Sequence, residues 1–345
     1  MLNNKSILIT GGTGYFGKNF VKYIYQKYKP ERVIIFSRDE AKQFEMKNTF
    51  SSKKYKGLKF FIGDVRDQDR LIMAFDNLDY VVHAAALKHV PATEYNPIEC
   101  IKTNIYGAEN VIQASIKCGV KKVVALSTDK AANPINIYGA TKLAADKLFV
   151  AANNLVGKKQ TRFSVVRYGN VFGSRGSVVP FFQSLLEKGT MELPVTNVKM
   201  TRFVITVEQG IDLVIKSFKR MSGGEIFVPK TASIKILDLV KAISPKNKYK
   251  VIGIRPGEKI HEILCPADDS HLTYEFNDHY VIAPAIRFFS SKNIFNKNQL
   301  KEKGKIVKNG FEYHSGKNSK FLDISEIQKL LKGWSKSLTV SNLLI

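Results

Sequence analysis

The sequence predicts an α/β protein, a doubly wound parallel sheet with a smaller, mainly C-terminal lobe. Two observations carry this. Short β-branched runs alternate with longer amphipathic stretches up to about residue 170, and strands alternating with helices imply right-handed βαβ units and a parallel sheet. The strands are also continuously apolar, as a sheet covered on both faces requires. Ile7-Leu8-Ile9-Thr10 is the first strand, followed by a helix over about 15–28 that Pro30 stops. Val33-Ile34-Ile35-Phe36 is the second strand and Leu58 to Ile62 the third, with a helix near 67–77. Tyr80 to Ala84 is the fourth, with a helix after Pro97; Val123 to Ser127 is the fifth, with a helix over about 137–154; Phe163 to Val166 is the sixth. After about residue 171 the rhythm breaks. Gly173-Ser174-Arg175-Gly176-Ser177 reads as loop, and Pro180, Pro194, Pro229 and Pro256 punctuate the rest.

Composition sets the outer bounds. The 345 residues suit two modules, or one large domain with an annex. With 44% hydrophobic and 24% charged residues the chain is an ordinary soluble globular protein, not a disordered one. No apolar run approaches the ~20 residues of a membrane span, and the N-terminus enters a strand at once, so neither anchor nor secretion signal is expected and a cytoplasmic location is. Three cysteines, Cys100, Cys118 and Cys265, form no CxxC pair, and six histidines show no HxxxH spacing; no metal site is expected. The formal charge of +24 fits either a nucleic-acid or membrane surface or lysines spread over a solvated exterior. The basic residues are scattered and carry no nucleic-acid motif, so the second reading is favoured and no specific nucleic-acid partner is expected.

Gly11-Gly12-Thr13-Gly14-Tyr15-Phe16-Gly17 lies between the first strand and the first helix. Glycines at 11, 14 and 17 allow a tight turn and close backbone approach, and place a pyrophosphate at the positive end of a helix. After the first strand of a βαβ series, this predicts a dinucleotide site. At the end of the second strand Ser37-Arg38-Asp39 brings a hydroxyl and a guanidinium first, with Lys42 one turn on. The guanidinium fork suits a 2′-phosphate, which favours NADP over NAD; Asp39, shifted by one residue, would serve NAD. Asp64 and Val65 follow the third strand, where adenine is expected.

Tyr138 and Lys142 stand four apart on one helix face. A Lys⁺ and an oxidised nicotinamide both favour tyrosinate, giving a base for a sugar hydroxyl. Ser127-Thr128-Asp129-Lys130 ends the fifth strand, at the edge where open α/β sheets bind ligands. An acid and an amine there fit an elimination beside a ketone. One removes the proton α to the carbonyl, and the other protonates the leaving hydroxyl.

These strings, with HAAALKHVPATEYNP (83–97), VRYGNVFGSRGSVVPFF (166–182), MTRF (200–203) and RPGEKIHE (255–262), resemble the extended short-chain dehydrogenases/reductases. More narrowly, they resemble the soluble inverting UDP-N-acetylglucosamine 4,6-dehydratases that open the pseudaminic acid pathway. The resemblance runs from near residue 5 to about 280. It implies a Rossmann domain of residues 1–171 plus about 201–225, a nucleotide-sugar lobe of about 172–200 plus 226–330, and a tail of 331–345. It implies that Tyr138 deprotonates the C4 hydroxyl, Lys130 takes the C5 proton, Asp129 protonates the departing C6 hydroxyl, and Thr128 holds the substrate near C4. Lys142 would bind the nicotinamide ribose and lower the Tyr138 pKa. Gly11, Thr13, Gly14, Tyr15, Phe16, Gly17, Ser37, Arg38, Lys42, Asp64, Val65, Ala84, Ala85, Ala86, Lys88 and Asn104 would line NADP. Lys88, Asn170, Ser177, Val178, Thr201, Arg202, Arg255 and Glu258 would meet UDP-N-acetylglucosamine. A homo-oligomer, a hexamer of dimers, is also implied. Tyr15 and Phe172 stand where the family often has smaller residues. Membrane-anchored relatives often replace the catalytic Tyr with Met, and this chain keeps Tyr138.

Overall fold

A computed structural model of the chain describes residues 1–246, 248–286 and 295–342, with side chains to residue 335. The first half is the expected alternation. Strands β1 (Ser6–Thr10), β2 (Arg32–Ser37), β3 (Leu58–Ile62), β4 (Tyr80–His83), β5 (Lys122–Thr128) and β6 (Arg162–Tyr168) alternate with helices. These are α1 (Tyr15–Lys27), α2 (Glu40–Thr49), α3 (Gln68–Ala74), α4 (Val90–Tyr95), α5 (Pro97–Ile101), α6 (Gly107–Lys117) and α7 (Ile137–Ala151). A π-helical turn, Lys102–Tyr106, joins α5 to α6.

Strands β7 (Asn170–Val171), β8 (Glu192–Val195), β9 (Thr201–Ile205), β10 (Ile226–Pro229), β11 (Ala232–Lys235) and β12 (Lys248–Val251) follow. They are interleaved with helices α8 (Val178–Glu187), α9 (Val207–Arg220) and α10 (Ile236–Ile243). Last come β13 (Ile263–Cys265), β14 (Thr273–Glu275), β15 (His279–Ile282), β16 (Lys305–Ile306), β17 (Tyr313–His314) and helix α11 (Ile324–Asn342).

One ten-stranded sheet dominates, in the order β16-β14-β15-β10-β6-β5-β4-β1-β2-β3. From β3 to β10 every pairing is parallel, and β15, β14 and β16 continue it antiparallel. Strands β10, β14, β15 and β16 come from the 226–330 stretch, so that stretch also extends the large sheet. The strand order reverses between β1 and β4, which opens a crevice at their C-terminal ends.

The alternating faces of each strand feed two cores. Leu8, Ile34, Phe36, Val81 and Val123 pack under α3, α6 and α7; Ile7, Ile9, Val33, Ile35, Val82 and Val124 pack under α1 and α9. Strands β11, β9 and β7 form a smaller sheet. Its core joins Phe172, Val204, Ile234 and Leu239 to Ile327, Leu331 and Trp334 of α11. Trp334 donates from Nε1 to the Gly173 carbonyl at 3.1 Å, so the sole tryptophan closes the edge of this core. The last three residues of the expected 331–345 tail lie outside the described residues. Among the described residues no helix is long and apolar enough to cross a membrane.

Candidate active site

The crevice at the reversal point is lined by the glycine loop. Gly11 has φ +63°, and a Cβ there would lie 2.9 Å from the Ala85 Cα. A Cβ at Gly17 would come within 2.1 Å of the Gly12 carbonyl, so only glycine lets α1 approach β1 this closely. Gly14 is the N-cap of α1 and no side chain caps that end, which leaves its N–H groups for an anion. A dinucleotide fits this cradle. Across it, Ala84 N–H and Ala85 N–H donate to the Thr10 hydroxyl at 3.1 and 3.2 Å, which seats the 84–86 loop beside the glycines.

Thr13 and Ser37 share a hydroxyl contact of 3.0 Å, tying the glycine loop to the end of β2. The next residues divide their tasks. Asp39 caps α2, accepting from the Lys42 N–H at 2.9 Å and from the Lys42 ammonium. Lys42 holds its carboxyl below the usual range. Arg38 is mostly exposed and lies 3.5 Å from Asp64, which Arg66 also grips. Val65 is buried against Gly107 and acts as wall. Phe16 stacks on Phe20, and the Tyr15 ring packs against the α1–α9 core with Glu208 nearby, away from the glycine turn. Asn104, on the π-helical turn, exchanges hydrogen bonds with both backbone groups of Leu87 and donates to Thr141 at 3.0 Å. It positions the 84–88 loop from behind, a use typical of π turns at functional sites.

The candidate catalytic residues gather at the end of β5. Thr128 accepts from the Lys130 N–H at 3.3 Å and donates to Asp129 Oδ1 at 3.0 Å. The Lys130 ammonium lies 3.1 Å from Asp129 Oδ1 and 3.1 Å from Glu262 Oε1. Both carboxylates are buried, and Asp129 Oδ2 and Glu262 Oε2 have no partner. Burial alone would lower the Lys130 pKa, but the two carboxylates outweigh it and hold the ammonium well above its usual range. Tyr138 is buried; desolvation pushes its phenol up to about 12, against the pull of Lys130. Lys130 thus stands beside Tyr138 as a cation that favours tyrosinate. Lys142 is buried and donates to the Leu126 carbonyl at 2.7 Å; desolvation lowers its pKa, with Asp146 opposing.

The RPGEKIHE string runs alongside this group. Asn136, the N-cap of α7, donates to the Gly257 carbonyl at 2.7 Å, and Lys259 donates to the Ala132 carbonyl at 2.7 Å. Glu262 completes the lacing at Lys130. Arg255 and Glu258 form the turn at its start, with Glu258 N–H donating to the Arg255 carbonyl. Arg202 is buried and donates to the carbonyls of Thr201 and Ile260, with Glu258 at 3.5 Å and Glu262 at 3.8 Å. The Thr201 hydroxyl is held by His261 at 2.8 Å and Ser315 at 2.7 Å, so it serves the wall.

Asn170, Ser177, Val178 and Arg202 line one small cleft. Asn170 Oδ1 and Ser177 Oγ are buried there without a protein partner, and Ser177 starts α8 without capping it. Lys88 reaches the Arg175 carbonyl of the adjoining loop at 3.5 Å. Sequence reasoning missed Glu262, Lys259 and Asn136. RPGEKIHE was visible, but nothing in a linear string pairs residue 262 with residue 130. Among the described residues no cluster of three or more His, Cys, Asp or Glu is arranged for a metal ion.

A family model described as polysaccharide biosynthesis protein matches residues 7–284. The chain belongs to this family of extended short-chain dehydrogenases/reductases. Its fold is the Rossmann fold of nucleotide-sugar epimerases and dehydratases. A Campylobacter jejuni relative named UDP-N-acetylglucosamine 4,6-dehydratase (inverting) is 57% identical over 331 residues, 96% of this chain and 98% of its own length. A Rickettsia canadensis relative named UDP-glucose 4-epimerase is 39% identical over 338 residues, 96% of each chain. The X-ray structure of Pen from Bacillus thuringiensis matches with a TM-score of 0.86 at 37% identity, over 97% of this chain and 99% of that one.

Proposed function

We propose that this chain is an NADP-dependent hydro-lyase, an inverting 4,6-dehydratase of UDP-N-acetylglucosamine that yields the 4-keto-6-deoxy sugar of L configuration. The observation that carries the reading is the part-buried Asp129–Lys130 contact of 3.1 Å beside Tyr138. A 4-epimerase needs the tyrosine but has no use for an adjoining acid and amine, so the pair favours dehydration over the epimerase name of some relatives. The identity of 57% to the inverting dehydratase supports the same choice.

The glycine cradle would hold NADP, with Arg38 toward its 2′-phosphate, and the bound nicotinamide would supply the acceptor for hydride from C4 and its return to C6. The commitment of Asp39 to the start of α2 supports NADP over NAD. Tyr138, a phenol at rest, would act as tyrosinate once Lys130 and the positive charge of the bound nicotinamide offset its desolvation, and would then take the C4 hydroxyl proton. The ketone acidifies C5, and Lys130 as the free amine removes that proton. Asp129 as the acid protonates the C6 hydroxyl, which leaves as water. The required amine and acid arise from the resting ammonium–carboxylate pair by moving one proton across the Lys130–Asp129 contact. Reprotonation of C5 from the opposite face inverts that centre. The diphosphate would lie at the uncapped start of α8, with Asn170 and Ser177 as unpartnered donors and acceptors beside it. Product of this kind would enter pseudaminic acid synthesis in the cytoplasm, and the working form would be a hexamer of dimers.

Proton NMR of the protein with UDP-N-acetylglucosamine, catalytic NADP⁺ and D₂O tests this. A new C6 methyl signal without stoichiometric NADPH is expected, with C5 coupling that reports inversion. A changed C4 configuration with C6 intact would replace this reading with an epimerase.

A further inference from the structure

The geometry points to Glu262 as the positioning residue of the acid–base pair: its carboxylate fixes the Lys130 ammonium opposite Asp129 and strengthens Lys130 as the base at C5. The inference rests on the dehydratase reading for its chemistry and on the structure for its placement. Lys130 Nζ is equidistant, at 3.1 Å, from Asp129 Oδ1 and Glu262 Oε1. Of these two carboxylates, only Asp129 is needed as the acid for the leaving hydroxyl. Glu262 is buried, and it is itself fixed: its N–H donates to the Ser315 hydroxyl at 2.9 Å, and Arg202 Nε lies 3.8 Å from its Oε1.

A buried carboxylate is retained at a cost unless its charge is used. Here the charges alternate as Asp129, Lys130, Glu262 and Arg202. When the amine of Lys130 takes the C5 proton it becomes ammonium again, and Glu262 stabilises that product. The proton passes from C5 to Nζ and the electron pair stays on the enolate; Glu262 neither gains nor loses a proton. The other charged or titratable groups near Lys130 are Asp129, Arg202, Tyr138, Lys259 and Lys88. Of these, Asp129 alone is a carboxylate, so removing Glu262 leaves Lys130 with one anion among several cations.

The test is NMR titration of lysine side-chain resonances, with Lys130 assigned by Lys130→Arg, beside the pH profile of turnover in Glu262→Gln and Glu262→Asp. In Glu262→Gln the Lys130 titration moves to lower pH by about 1–3 units, the usual effect of losing one opposite charge at this range. The alkaline limb of kcat, where the pair loses its shared proton, moves the same way. Turnover falls at least about tenfold, a part of the roughly 10²–10⁴-fold that a positioned acid–base group supplies, while KM changes little. Glu262→Asp recovers part of both. An unmoved Lys130 titration with full turnover overturns the inference. If Glu262→Gln folds poorly, Ser315→Ala loosens the Glu262 N–H while leaving the charge, and a smaller shift in the same direction is expected; no shift there counts against the inference. A wild-type protein that forms no 4-keto-6-deoxy sugar overturns the dehydratase reading instead, and the lysine titration still judges Glu262.

Discussion

Replacing Asp146 by Ala should be one of the most destabilising single changes available. Asp146 projects from α7 and its Oδ2 lies 3.0 Å from Arg167 Nη2 and 2.7 Å from the Ser127 hydroxyl. Both side chains of the ion pair are only 2% exposed. Arg167 keeps one further bond, to the Leu264 carbonyl at 3.2 Å, and its Nε has no partner even in the intact site. Without Asp146 the guanidinium is a buried charge with no counter-ion. Removing one member of such a pair costs about 3–5 kcal/mol. At the low end of about 2 °C per kcal/mol, that is a fall of roughly 6–10 °C in Tm. Differential scanning calorimetry and urea titration with saturating cofactor absent would measure it. The double replacement Asp146→Leu with Arg167→Met removes both charges at similar volume. Only the Ser127 and Leu264 bonds are then lost, at about 1 kcal/mol each. The double variant should therefore be more stable than Asp146→Ala. A single variant that loses less than about 1 kcal/mol, or a double variant no better than the single, would refute the argument that uncompensated charge sets the cost.

Four shorter predictions follow from other parts of the molecule. Asp129→Asn and Lys130→Ala should each abolish formation of the C6 methyl while leaving cofactor affinity within about twofold, since neither residue touches the glycine cradle; unchanged turnover in either would sink the elimination mechanism. Arg38→Ala should weaken NADP about ten- to a hundredfold, the worth of a charge-assisted bond, and leave NAD affinity nearly unchanged, as read by fluorescence titration. His83 is fully buried against the Thr10 hydroxyl and Phe149, and desolvation lowers its pKa to about 3. A depressed folded-state pKa in a base means that the unfolded chain takes up the proton first. Stability should therefore fall as pH drops from about 6.5 toward 3, at up to about 1.4 kcal/mol per unit, and His83→Gln should flatten that slope in acid titration. Gly173 has φ +68°, and a Cβ there would lie 2.0 Å from Trp334 Nε1, so Gly173→Ala should undock α11. Because Trp334 is the sole tryptophan, its emission should shift to the red, and an unshifted spectrum would argue against the clasp.

Much of the fold was legible because its signals are local. Largely apolar runs marked β1 to β6 to within a residue or two; β1, β2, β4 and β6 are buried along almost their whole length, whereas the edge strand β3 is half-exposed and carries Lys59. The glycine loop was legible for a different reason: its backbone conformation and close approach leave no other residue possible at 11 and 17. Beyond residue 171 the chain was much harder to read. Strands such as β13, β16 and β17 are two or three residues long, too short for any periodicity, and their pairing joins segments 30 to 50 residues apart. The site followed the same division. Thr128, Asp129, Lys130 and Tyr138 lie within eleven consecutive residues and could be read together. Side-chain orientation could not: Lys142 turns to the Leu126 carbonyl, and Asn104 and Thr201 are consumed by protein partners.

The lacing of 255–262 against 129–136 takes an Asp-Lys step, so often a solvated ion pair, out of solvent and supports the proposed chemistry for it. Three contacts fasten the two segments: Asn136 to Gly257, Lys259 to Ala132, and Lys130 to Glu262. Each partner in the second segment comes from the part of the chain expected to hold the nucleotide sugar, and each partner in the first leads into the catalytic helix. The contact also removes water, because Asp129 and Glu262 are buried only where the two segments meet. In that low dielectric the Lys130–Asp129 contact is stronger than the same pair would be on a solvated surface. Loosening the lacing without touching a catalytic group should therefore slow the elimination more than it weakens substrate binding. Lys259→Met, which removes the bond to Ala132 together with an ammonium near Glu262 and Asp129, is the trial, with Lys259→Arg as the control that keeps the charge: kcat should fall several-fold with the C5 exchange rate in D₂O in the Met variant, and a loss confined to KM would show that the segments serve binding alone.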